Sequence, residues 1–492
     1  MTPMFILSVM LCYFAVLLAV AIYTSRDASN AAFFIGHKKS PWYVVAFGMI
    51  GASLSGVTFI SVPGAVGDPN NVNTAFSYLQ LAMGYLVGYA VVALVLMPTY
   101  YAMQLTSIYT YLEQRFGVFS YKTGAGYFLL SRTIGSAFRL YLVALVLQRF
   151  LFDPLGVPFF YNALSMLFMI WLYTIRGGIK SIIWTDTVQT TFMLLSVISI
   201  TYGMGSELGW GVGDMWRNIQ DSQYSQVFFW DWQKNNYFWK QFLSGVFIAI
   251  TMTGLDQDLM QKNNSCKNIG EAQLNMFVFS GVYFVVIFLF LSLGAMLYLY
   301  ANAKGIVLPA RTDLLFPTLA FEYFPTYIGV FFLIGLTAAC YASADSAITS
   351  LTTSFCIDFL NFEKRQNVPP QQLQRTRYWV HIGFSVVLLL VVLLFKEINN
   401  EAVINEIFRL AGYTYGPLLG LYSFGFLLKG FRPIDRFVPL VCVVSPVLCY
   451  FLNVYMSKHG FQIGFALLII NGAITFLGLL LLSLLNERKE VV

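Results

Sequence analysis

Apolar runs of about 20 residues recur along the whole of this chain, and that repetition leaves it few folds to choose from. Each run is long enough to cross roughly 30 Å of hydrocarbon as a helix. About thirteen can be counted, at 4–23, 42–67, 74–101, 119–149, 158–175, 183–205, 239–257, 273–302, 327–358, 375–395, 403–427, 436–455 and 462–485. In hydrocarbon every backbone N–H and C=O needs a partner within the protein, which an α-helix supplies by itself. The expected class is an all-α polytopic membrane protein with about 13 transmembrane helices. Composition agrees, since 58% of the 492 residues are hydrophobic and 11% charged, far from soluble globular averages. The longest connections, about 206–238, 303–326 and 359–374, are too short for an independent core.

Thirteen crossings put the termini on opposite sides of the bilayer, and short cytoplasmic loops retain Lys and Arg. Arg26, Lys38, Lys39, Arg115, Lys122, Arg176, Lys180, Lys262, Lys267 and others through Arg488 and Lys489 fall on one alternating set of loops, against about eight on the other. The expected orientation is N-terminus outside and C-terminus cytoplasmic, in a cell membrane of the bacterial inner-membrane kind. The first apolar run lacks a small-residue cleavage pattern and is expected to stay as a permanent helix. That loop bias explains the formal charge of +6. No basic, aromatic-interleaved patch points to nucleic acid; the partner expected from composition is the lipid bilayer, with the chain working as a monomer. Five of six cysteines, Cys12, Cys340, Cys356, Cys442 and Cys449, lie in apolar runs and Cys266 in an expected cytoplasmic loop, which gives neither a disulfide nor a zinc framework.

Polar residues at membrane depth are costly and therefore mark candidate sites. Residues 51–64, GASLSGVTFISVPG, can interrupt a helix and free carbonyls for ions or solutes, or can simply let helices pack closely. Asp186, in RGGIKSIIWTDTVQ, either pairs with a basic residue or binds a cation. Around YASADSAITSLTTSF (341–355), Ala342, Ser343 and Ser346 share one helical face with Ala339 just ahead of the stretch and with Asp345 at its edge, an arrangement of hard oxygens suited to Na⁺. LDQDLMQK places Asp256 and Asp258 at an expected cytoplasmic helix end. Arg132, Arg139 and Arg409 fall inside apolar runs, Arg132 and Arg139 on one face, and either neutralise these aspartates or capture a ligand carboxylate. His37, His381 and His459 are isolated, and neither a phosphate loop nor a catalytic dyad is present. An enzyme is not expected, and no catalytic residue is assigned. A channel or a sensor on a transporter scaffold is the competing class, although a sensor would be expected to carry a signalling domain.

These stretches, taken together and in order, resemble the sodium/solute symporter family, which includes sodium/sugar, sodium/proline and sodium/sialic acid cotransporters. FFIGHKKSPWYVVAFGMIGASLSGVTFISVPG (33–64) is similar to its first core helix, GGIKSIIWTDTVQ (177–189) to the signature after the fourth, and CYASADSAITSLTTSFCIDF (340–359) to the eighth. The resemblance implies the five-plus-five inverted repeat of the leucine-transporter-type fold. It divides the chain into an extra N-terminal helix and loop (1–41), a first repeat (42–205), an extracytoplasmic loop (206–238), a second repeat (239–427) and two C-terminal helices with a tail (428–492).

The resemblance also implies Na⁺ as coupling ion and inward movement of a small polar solute by alternating access. Carried over by position, the main Na⁺ site uses the carbonyls of Gly51, Leu54 and Ala339 and the Ser343 hydroxyl, while Ala342 stands where the family commonly has a second hydroxyl. A possible second Na⁺ falls to Asp186, Asp345 and Ser346, so one or two ions are expected per solute. Solute contacts fall to Ser53, Ser55, Thr58, Phe76, Gln80, Arg139 and the region of Asp256. Arg139, in FRLYLV, is similar to the arginine that clamps the carboxylate in sialic acid symporters. A carboxylated sugar is therefore the expected solute, with a neutral sugar or polyol, an amino acid or a monocarboxylate as alternatives.

Overall fold

The computed structural model describes residues 2–25, 29–69, 71–365, 367–398 and 403–490, and of residues 176, 403–408 and 487–490 the backbone only. The expected cytoplasmic position of Arg26, and the side chains of Arg176, Arg488 and Lys489, lie outside what is described. Among the described residues, nine helices are long and apolar enough to cross a membrane unbroken, including Pro3–Thr24, Tyr78–Ala102, Val118–Leu155, Ile269–Ala303 and Thr326–Phe359. Two further spans are each bent pairs: Trp42–Ser53 with Gly56–Ala65, at 58°, and Phe238–Gly254 with Gln257–Asn264, at 64°. The shorter Phe159–Ile175 and the helix Val403–Leu427 fall where the sequence expects the remaining crossings.

The first break follows from its residues. The ladder of the first half ends with Leu54 N–H donating to Ile50 O, and the second half begins with Phe59 N–H donating to Ser55 O. The carbonyls of Gly51 through Leu54 therefore lie outside both ladders, with Leu54 itself extended at φ −83°, ψ 102°. The second break corrects the sequence reading, which ends a single helix at about residue 257 on the cytoplasmic side. Instead the helix finishes in a π-helical turn, Ile250–Gly254, and restarts at Gln257 with Asp256 as its cap, whose carboxylate accepts from Asp258 N–H at 2.9 Å. Asp256, Asp258 and Lys262 are consequently buried rather than at a loop.

Gly178 makes the kink, at φ +52°, where Phe159–Ile175 meets Gly177–Glu207. A Cβ there would also meet Phe33 at 2.5 Å, so both conformation and space require glycine. Of the unbroken spans among the described residues the most enclosed is Thr326–Phe359, with 78% of its most apolar window buried, whereas Asp435–Lys458 has 22% and is peripheral. That central helix carries Ser343, Asp345 and Ser346 and packs against both halves of the first broken helix.

Candidate functional site

The two breaks face a common cavity with about 90 Å³ of free space. Ser53, Ser55 and Thr58 reach it from the first break, and Met252, Thr253 and Leu259 from either side of the second. Tyr78, Tyr85, Tyr89 and Tyr283 form an aromatic wall, in which the Tyr78 and Tyr85 hydroxyls lie 3.3 Å apart. The Val118–Leu147 helix contributes Arg132 and Arg139.

The two arginines differ in their partners. Arg132 donates to Asp258 Oδ2 and lies 3.9 Å from Asp256 Oδ2, which also accepts from the Tyr415 hydroxyl at 2.6 Å. Arg139 makes no ion pair among the described residues and is half-buried at the cavity wall. Ser53 Oγ is likewise buried with no hydrogen-bond partner among them. A guanidinium without a carboxylate, beside an unsatisfied hydroxyl, is an arrangement that a polar anionic ligand completes. Arg409 is exposed and does not line the cavity.

Three residues expected at the solute lie elsewhere. Phe76 packs edge-on against Phe288. Gln80 ties down the 206–238 loop, its Nε2 donating to Asn236 O at 2.9 Å and its Oε1 accepting from Phe229 N–H at 3.2 Å. Asp256, with both oxygens engaged, holds the helix cap and neighbours Arg132.

At the expected main Na⁺ site, Ser343 is buried and its hydroxyl bonds back to Cys340 O at 3.0 Å. Leu54 sits at the break, whereas Gly51 is one turn earlier, where a Cβ would meet Thr190 Oγ1 at 2.2 Å and Asp186 O at 3.3 Å. The carbonyls freed at the break and the Ser343 hydroxyl are each neutral, hard oxygens of the kind that suits Na⁺. The residues expected for a second Na⁺ do come together, but around an ammonium. Lys262 Nζ lies 2.6 Å from Asp186 Oδ2 and 2.6 Å from Ser346 Oγ, while Asp345 accepts from the Tyr173 hydroxyl at 2.9 Å. Sequence reading places Lys262 in a loop. The Asp-x-Asp cap after Gly254, in a position matching the first break, is the signal that reveals the second break and carries Lys262 inward.

Two helices broken halfway around a polar cavity are the architecture of a solute transporter. The profile of the sodium:solute symporter family matches residues 33–427, and the chain belongs to that family. It is thus a multi-pass membrane protein that couples solute movement to Na⁺. It is 24% identical over 448 residues to the sodium/sialic acid symporter NanT of Aliivibrio fischeri, covering 89% of this chain and 85% of that one. Sodium-coupled monocarboxylate transporter 2 of Danio rerio is 23% identical, with 85% of this chain and 66% of that one covered. Among solved structures, a Na⁺-coupled sialic acid symporter in a substrate-bound outward-open state superposes with a TM-score of 0.82 over 98% of both chains, at 20% identity.

Proposed function

We propose that this symporter imports a carboxylated sugar of the sialic acid kind, with its carboxylate on Arg139 and its hydroxyls on Ser53, Ser55 and Thr58. The observation that carries this is Arg139 standing at the cavity without an ion-pair partner among the described residues. A planar guanidinium binds a carboxylate bidentately. The relatives named above for a sialic acid and for monocarboxylates support an acidic solute. No carboxamide lines the cavity among the described residues, which disfavours a neutral sugar or polyol. A monocarboxylate is the second reading, favoured by the small volume and the tyrosine wall.

In this reading Na⁺ is held by the carbonyls of Gly51, Leu54 and Ala339 and by the Ser343 hydroxyl. The repeats run over 42–205 and 239–427. The chain works as a monomer in a bacterial inner membrane, with the N-terminus outside and the C-terminus cytoplasmic, as the loop distribution of Lys and Arg supports.

A thermal-shift screen of the purified protein in NaCl and in choline chloride tests the solute. Stabilisation by sialic acids or other carboxylated sugars, larger in Na⁺ than in choline, is expected, because ion and solute that favour one state raise each other's affinity. Stabilisation by neutral sugars alone, or with no dependence on Na⁺, would overturn the reading.

A further inference from the structure

Lys262 is almost wholly enclosed, 1% exposed, on the short helix Gln257–Asn264 that follows the second break. Its ammonium lies 2.6 Å from each of Asp186 Oδ2 and Ser346 Oγ, which are themselves 3.5 Å apart. A Na⁺ bound by those two oxygens would need the space that the nitrogen fills. The third residue of that group, Asp345, is turned to the Tyr173 hydroxyl and to the Ser346 amide. Buried carboxylates without a counter-charge are strongly destabilising. A free ion compensates them only while bound, whereas an ammonium on the chain is always at hand.

We propose that Lys262 is a tethered cation that takes the place of a second Na⁺, so that this chain carries one Na⁺ per solute. This rests on the Na⁺ site proposed at Gly51, Leu54, Ala339 and Ser343. Lys262 stands on one broken helix, while Asp186 and Ser346 stand on two unbroken ones. The ammonium thus bridges elements that a mobile ion would otherwise join, and makes that junction independent of external Na⁺.

The test counts radioactive sodium bound per purified chain, in the wild type and in Lys262→Ser, a substitution that returns an oxygen to the vacated space. One Na⁺ in the wild type and two in Lys262→Ser are expected. Two Na⁺ in the wild type overturn the proposal, and so does a folded Lys262→Ser that binds only one. If Lys262→Ser is unstable, its Tm is followed in rising NaCl against choline chloride. Rescue by Na⁺ beyond that seen for the wild type supports the proposal, and equal instability in both salts overturns it. Failure of the underlying site reads differently: the wild type would then bind no Na⁺, or would keep its one Na⁺ in Ser343→Ala at unchanged affinity.

Discussion

Arg132 and Arg139 stand seven residues apart on one face of the same helix, yet among the described residues only Arg132 is neutralised by aspartates. One arginine therefore belongs to the frame and the other is open to a ligand. The separation has consequences for stability as well as for recognition.

Replacing Arg132 with Met leaves Asp258 and Asp256 buried without their cation. Loss of one partner of a buried pair costs about 3–5 kcal/mol, so a large fall in Tm in detergent is expected. Adding Asp258→Asn should recover part of it. Arg139→Met, which breaks no ion pair among the described residues, is expected to cost less than Arg132→Met.

Ser343 offers the only side-chain oxygen in the proposed main Na⁺ site, and Ala342 beside it offers none. Ser343→Ala should raise the half-saturating Na⁺ concentration about tenfold, equivalent to about 1.4 kcal/mol. Ala342→Ser should lower it. Solute uptake across a NaCl series, balanced with choline chloride, reads both, and replacing all Na⁺ with choline should abolish uptake.

Gly51 is held to its size by its neighbour across the helix contact, since a Cβ would lie 2.2 Å from Thr190 Oγ1 but 3.4 Å from Thr190 Cβ. Gly51→Ala should lower stability by about 1–3 kcal/mol through overpacking. Gly51→Ala with Thr190→Ala should regain most of that loss, because the clashing hydroxyl is gone. Fluorescence-detected thermal unfolding compares the two.

Gln80 holds Asn236 and Phe229 through its amide. Gln80→Leu removes both bonds and leaves buried backbone groups unmatched, at about 1–3 kcal/mol. Faster amide hydrogen exchange over residues 226–238 is the expected signature.

The parts of this molecule that the sequence reveals are those written in local composition. Apolar runs mark the helices, and Gly51, Ser53 and Ser55 mark a helix that cannot run straight through. The second break is harder to see because Gly254 stands alone and Asp256 and Asp258 resemble a helix terminus at a membrane surface. Lys262 is misplaced for the same reason: a loop rule counts basic residues by position and has no means of knowing that a half-helix turns inward. Arg132 and Arg139 share a face by spacing, but their separate roles depend on where Asp256 and Asp258 arrive from 117 or more residues away. Gln80 lies on the expected helix yet points to the 206–238 loop, a rotation that periodicity in a uniformly apolar segment does not fix, and Phe76 stands in the turn just before that helix and packs on Phe288.

The measurement closest to the central claim is calorimetric binding of a carboxylated sugar, in saturating Na⁺, to the wild type and to Arg139→Ala, with Tm confirming that both are folded. A carboxylate held by a guanidinium at the cavity wall should lose at least tenfold in affinity when that group is removed, about 1.4 kcal/mol or more. Retained affinity in a folded Arg139→Ala would contradict the assignment of Arg139 as the carboxylate clamp.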